Sequence, residues 1–329
     1  MRFWWVNQNR TFQHEVSGGY LWSPKKNQDG SINHFYETMR EVAPGDLVFS
    51  YNDTKIMALG IAVHPAYTCP KPEVFGTAGA NWDNIGWRVD VDFRILDSKI
   101  QPKRHMDLLK QFLPQKYSPI REDGVGNQIY LAEIPDGFSR ALVALIGVEA
   151  EAITQQVLSD SVVKESEVPY AEKESDLIEE WDQIQILRLE GDQGLASTEK
   201  EQIIKARKGQ GLFRNRVAAV EKWCRITRVD RPEHLIASHI KPWRVATNQE
   251  RLDGQNGLFL TPSVDHLFGK GFISFNGDGR VIISPVAHAT SLNRMGLPTD
   301  GTLNAGVFAR GQMSYLEYHR DCILLKARA

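Results

Sequence analysis

The stretch Ala237-Ser238-His239-Ile240-Lys241-Pro242-Trp243 is followed by Glu250-Arg251-Leu252-Asp253-Gly254-Gln255-Asn256-Gly257 and then by Thr261-Pro262-Ser263-Val264-Asp265-His266-Leu267-Phe268. His239, Asn256 and His266 stand 17 and 10 residues apart. Hydrolysis of a phosphodiester needs a base to deprotonate water and a divalent cation to take up charge on the phosphate and leaving oxygens. A histidine at the end of a strand can be that base. An asparagine carbonyl in the following loop can orient the imidazole through its other nitrogen. A carboxylate or histidine on the next helix can hold the metal. Singly, each residue has a plainer role: a lone histidine is usually a satisfied structural group, and Asn256-Gly257 is an ordinary turn signal. Their order and spacing point instead to a single-metal nuclease site, with catalytic candidates His239, Asn256 and His266.

Charge supports a polyanionic substrate. The chain of 329 residues has a net charge of only −2. Residues 165–192 nevertheless hold ten acids against two bases, whereas 205–245 hold eleven bases against three acids. A basic segment in an otherwise acidic chain localises an anion site better than the overall balance does. Arg214, Arg216, Arg225, Lys241 and Arg244 bracket His239 and are the candidate contacts to a DNA backbone. Trp243 reads as a core residue behind the strand rather than a base stacker.

From about Gly209 to Pro285, the run SHIKPW…ERLDGQNGLFL…VDHLF…GFISF resembles the HNH endonuclease family. The resemblance implies a ββα-metal fold, two strands and a helix clasping one cation. Position by position, it makes His239 the general base and Asn256 the residue that orients it. The metal ligand falls on Asp265 or His266. Two positions depart from the family pattern: Ser238 stands where Asp or His is frequent, and Gly269 where a second acid is frequent. No four-cysteine zinc site brackets the motif. Mixed His/Asp ligation would suit Mg²⁺, Mn²⁺, Co²⁺ or Ni²⁺.

Residues 1–150 read as short strands, among them Phe3–Val6, Leu47–Tyr51, Ile56–Val63, Trp87–Phe93 and Ile129–Leu131, with turn residues between them. Trp87, Val89, Val91 and Phe93 alternate with charged residues, as in a half-buried strand, and the spacing predicts a small closed barrel. Five of the eight tryptophans lie in the first 90 residues. The phrases Gly19-Tyr20-Leu21-Trp22-Ser23-Pro24, Pro44-Gly45-Asp46-Leu47-Val48-Phe49-Ser50-Tyr51 and Leu59-Gly60-Ile61-Ala62-Val63 resemble the EVE domains of the PUA-like superfamily, relatives of the YTH readers. That resemblance implies a pocket taking a flipped, modified base between aromatic walls. Trp22 and Trp82 align with cage tryptophans, and Ser23, Asn7 and Asp83 are candidates for hydrogen bonds to the base edge.

Together these give an α+β chain: a PUA-like (EVE) β-barrel over 1–150, a helical linker over 151–205 and a ββα-metal HNH nuclease domain over 206–329. In the linker, Ser175 can cap a helix with Leu177, Ile178, Trp181, Ile184 and Leu187 on one face. Hydrophobic content of 42% and charged content of 24% fit a globular protein. The longest apolar run, Ala141–Val148, is far short of a membrane span, and the N-terminus has no signal-peptide core. Three widely spaced cysteines fit a reducing compartment. The expected protein is thus a cytoplasmic, prokaryotic restriction endonuclease of the EVE–HNH kind. It would act on double-stranded DNA carrying 5-methyl- or 5-hydroxymethylcytosine, use a divalent metal, and pair as a homodimer to cut both strands. Two alternatives stay open: a reader of modified adenine or RNA, and a DNA-binding regulator that does not cut.

Overall fold

The computed structural model describes residues 1–160 and 169–326. Part of the expected linker, 161–168, therefore lies outside the described residues. The chain is mixed α+β and divides into two compact units, Met1–Ser175 and Asp176–Ala329.

The first unit is built on strands β1 (Phe3–Asn7), β2 (Tyr20–Pro24), β3 (Leu47–Asn52), β4 (Lys55–Ala62), β5 (Tyr67–Pro70), β6 (Ile85–Ile100) and β7 (Leu131–Glu133). They form one sheet in the order β2-β6-β4-β3-β1-β7, with β5 also on β6. All neighbours are antiparallel except β1 and β3. The 16-residue β6 pairs with β4 and then β5, whose registers follow one another along it, and also with β2. The expected closed barrel is instead an open, curled sheet, because β2 and β7 are not hydrogen-bonded to each other. The helix Asp136–Ile146 seals one face, placing Phe138, Ala141, Leu142 and Ile146 against Trp5, Phe49 and Leu59.

The charged face of β6 is also buried where β2 and β5 flank it. Arg88 donates to Asp90 at 2.9 Å, and the Tyr67 hydroxyl donates to the other Asp90 oxygen at 2.8 Å. Two opposite charges satisfied in this way tolerate burial that neither would alone. The expected half-buried strand is therefore covered on both sides over this stretch.

In the second unit, β8 (Ile236–His239) pairs antiparallel with β9 (Gly257–Leu260), with His239 opposite Gly257. The helix Pro262–Gly269 follows β9 directly and packs on both strands. A second hairpin joins β10 (Ile273–Phe275) to β11 (Val281–Ile283). Beneath β8 and β9 runs the helix Gly211–Val220, whose Phe213 and Val217 are fully buried. Gly257 is required there: a β-carbon would stand 2.2 Å from Val217 and 3.0 Å from Phe213. The helices Pro169–Gly191 and Ser197–Arg207 supply Leu189, Ile203 and Ala206 to the same core. The later residues of the expected linker are thus integral to the second unit. So is the C-terminal helix Met313–Cys322, through Leu316.

Candidate active site

His239 ends β8 and is half-buried. Its ring lies flat on Phe213, and its Nε2 meets the main-chain carbonyl of Arg251 at 3.0 Å. A carbonyl can only accept, so Nε2 carries the proton and Nδ1 carries the lone pair. Burial pushes the imidazole down to about 4, the Arg251 carbonyl opposes that shift, and the charges of Arg251 and Arg244 add to it. The ring is consequently neutral near pH 7, as a proton acceptor must be.

Asn256 does not perform the orienting role expected of it. Its Oδ1 accepts from Lys241 N at 2.8 Å, and its Nδ2 donates to the carbonyls of Lys241 and Glu250, each at 3.1 Å. With all three bonds going to main chain, the fully buried amide fastens the loop 250–256 to the chain just beyond His239. The carbonyl of Arg251, within that loop, orients the imidazole instead. A main-chain acceptor carries no side-chain signature, so the sequence could not reveal it.

Asp265 and His266 diverge on their helix: Asp265 is partly buried and His266 is exposed. Asp265 hydrogen-bonds the hydroxyl of Ser238, the residue preceding the histidine. Burial raises its carboxyl above the usual range, while that bond and the nearby His266 act in the opposite direction. Among the described residues, no group of three or more His, Cys, Asp or Glu is assembled as a metal cage. One carboxylate with a neighbouring hydroxyl fits a cation that keeps most of its water and takes its other ligands from substrate phosphate, which is how Mg²⁺ is commonly bound.

The cations expected on the DNA backbone are engaged within the fold. Arg214 donates to the carbonyls of Leu235 and Pro232, and Arg216 to that of Leu252. Arg225 grips Glu221 with two bonds of 2.7 and 2.8 Å and reaches the Val307 carbonyl. Lys241 binds both oxygens of Glu250, which also closes a capping box with Thr247. Arg244 pairs with Asp182 at 3.1 Å. Trp243 is buried, its indole N–H donating to Ile203 O at 2.8 Å.

The candidates in the first unit separate in a similar way. Trp22 is fully buried, and its main-chain N–H donates to Glu15 and to the Tyr130 hydroxyl. Glu15 is itself buried and accepts from Tyr130, Thr11 and Gln8. Burial raises its carboxyl, and those donors oppose the rise. Trp22 and Trp82 have ring centroids 5.9 Å apart at 42°, with Phe75 beside both. A base sandwiched between parallel rings needs roughly 7 Å, so these two indoles are not the facing walls of a slot. Trp82 is half-buried, lies over Gly79 and meets Tyr36 edge-on. Asn7 is fully occupied, donating to Asn127 O and Ile129 O and accepting from Trp5 Nε1. The Ser23 hydroxyl points to Tyr36 O at 3.4 Å, and Asp83 accepts from Asn84 N. Sequence reasoning missed Tyr36, Phe75, Tyr130 and Glu15, which reach this cluster from separate elements.

No curated protein sequence matches the chain. Among solved structures, it is similar to the Pho92 YTH domain in complex with m6A, at 13% identity over 44% of this chain and 85% of that one, with a TM-score of 0.31. A Pseudomonas putida protein shows 16% identity over 44% of this chain and 99% of its own, with a TM-score of 0.31. The YTH domain of the Zygosaccharomyces rouxii MRB1 protein in complex with N6-methyladenosine RNA shows 12% identity over 44% and 86%, with a TM-score of 0.29. No helix among the described residues is long and apolar enough to cross a membrane. Residues 224–276, which include His239, Asn256, Asp265 and His266, match the family model described as HNH endonuclease, and the chain therefore carries an HNH endonuclease domain over that stretch.

Proposed function

We propose that this chain is a modification-dependent DNA endonuclease that reads a 5-substituted cytosine, methyl or hydroxymethyl, with residues 1–150 and hydrolyses a phosphodiester nearby with His239. The observation that carries the cleavage reading is the imidazole whose proton is fixed on Nε2 by the Arg251 carbonyl, leaving Nδ1 as acceptor. His239 Nδ1 takes a proton from water as the water oxygen bonds to phosphorus. The P–O bond to the leaving sugar oxygen breaks, and that oxygen is protonated from solvent. Asp265, with the Ser238 hydroxyl or His266, would hold a divalent cation, which when bound offsets charge on the phosphate and the leaving oxygen.

The reader half rests on the half-buried Trp82, which Tyr36 and Phe75 flank and the fully buried Trp22 backs. Flipping a base costs a few kcal/mol, and a stack on one aromatic ring returns about 1–3 kcal/mol. A buried methyl adds about 0.8 kcal/mol, so discrimination also needs clashes against the unmodified base. One site cuts one strand, so cutting both takes two copies or two visits, and the first of these motivates a homodimer.

Matched plasmids carrying 5-methylcytosine, 5-hydroxymethylcytosine, N6-methyladenine or no modification test the reading, with Mg²⁺, Mn²⁺, Co²⁺ or Ni²⁺ present. Cutting confined to the cytosine-modified plasmids is expected. Equal cutting of all four removes the reader, and cutting of the adenine-modified plasmid alone moves the specificity to that base. Binding without cutting under every metal would make the protein a regulator.

A further inference from the structure

The C-terminal helix lies outside the segment that matches the nuclease family, yet it holds the loop that orients His239. The Tyr315 hydroxyl donates to Asp253 Oδ2 at 2.8 Å, while Asp253 Oδ1 accepts from Gln255 N. One turn earlier, Gln312 is fully buried, and its Nε2 donates to Gly257 O at 3.1 Å and to Glu221 Oε1 at 2.8 Å. Gln312 Oε1 accepts from Ala309 N, which sets the direction of the amide. Just before Gln312, Gly311 abuts Gln255 so closely that a β-carbon on it would stand 2.9 Å from that side chain. The loop is thus gripped at Asp253, at Gln255 and at Gly257. Arg251, whose carbonyl receives the Nε2 proton of His239, lies two residues before the first of these points.

We propose that Tyr315 and Gln312 are positioning residues of the nuclease site: by clamping the 250–257 loop they keep the Arg251 carbonyl under His239 and so select the tautomer with Nδ1 free. Neither residue touches the imidazole. Their effect passes through one carbonyl, and a loop that drifts by a fraction of an ångström loosens that bond. The Nε2–H form then loses its advantage, and part of the population carries its proton on Nδ1, where it cannot accept one from water. The inference rests on the proposed role of His239, and its test is separable from that role.

The test uses the full chain as Tyr315→Phe, which keeps the ring and removes only the hydroxyl, with Gln312→Leu as a second variant. Imidazole ¹⁵N shifts of His239 report the tautomer directly. The wild type is expected to show Nε2–H alone, and Tyr315→Phe a mixture. In cleavage assays kcat is expected to fall about tenfold with KM unchanged, since a misplaced group slows chemistry without weakening binding. Unchanged tautomer signals in a folded Tyr315→Phe chain would overturn the clamp. If the wild type fails to cut any plasmid, the proposed function fails, and the ¹⁵N readout alone still decides this inference.

Discussion

His239 lies face to face with Phe213, ring centroids 3.7 Å apart and planes inclined by 3°. The phenylalanine belongs to the helix Gly211–Val220, and the close approach of that helix to β9 depends on the missing side chain of Gly257. One ring face is therefore dry, and dryness disfavours the charged imidazolium. Phe213→Leu opens that face. The His239 pKa is expected to climb from about 4 towards the ordinary 6.5, with a stability loss of roughly 1–2 kcal/mol. An NMR titration of the His239 ring protons checks this, and an unmoved titration midpoint would refute the assignment of the shift to this packing.

The same shift makes stability depend on pH with a definite sign. Between about 4 and 6.5 the unfolded chain binds a proton at His239 that the folded chain does not. The stabilisation from keeping this ring neutral is complete above 6.5 and is lost as pH falls from 6.5 through about 4. His239→Gln removes that dependence. Urea unfolding at pH 7 and pH 5 should show a larger drop for the wild type than for the variant, and equal drops would place the ionisation elsewhere.

Asp265 is expected to matter for chemistry and little for folding. Burial already raises its carboxyl, so the folded state gains nothing from its charge unless a cation is bound. Asp265→Asn keeps an oxygen for the Ser238 hydroxyl. Cutting should fall on the order of 100-fold, because charge stabilisation at the phosphate is lost. Mn²⁺ titration should show weaker binding while the melting temperature stays level or rises. A variant that melts much lower would mark Asp265 as structural.

The order of elements around His239 was legible in the sequence. Strand, loop and helix follow one another from Ser238 to Gly269 as the quoted stretch predicts, and the family match falls on the same stretch. What stayed hidden depends on main chain or on distant packing. The acceptor for His239 is the Arg251 carbonyl, which any residue would supply. Asn256 was assigned to the imidazole because its side chain can accept, but nearby main-chain groups occupy all of its bonds. The basic run around His239 suggested a solvated phosphate tract, yet Arg225, Lys241 and Arg244 face Glu221, Glu250 and Asp182. Charge counting cannot see such pairs, since Asp182 comes from the acidic run itself. The strand pattern of residues 1–150 likewise predicted strands that close into a barrel, whereas the end strands β2 and β7 do not pair, a long-range relation that strand spacing does not encode.

Two tryptophans that look equivalent in sequence should separate by experiment. Trp22 is fully buried, and its main-chain N–H is tied to Glu15, so Trp22→Ala removes a ring from the interior. It should lower stability by about 3–5 kcal/mol and abolish binding only because the unit unfolds. Trp82 is half-buried and rests on Gly79, whose φ of +65° and missing side chain let the indole lie there. Trp82→Ala should leave most of the stability intact. It should weaken binding to a cytosine-modified duplex about tenfold or more, the loss of one stacking surface. Paired measurement of urea midpoints and fluorescence anisotropy distinguishes the two residues. If Trp82→Ala binds modified and unmodified duplexes as the wild type does, the modified base is read elsewhere in the chain.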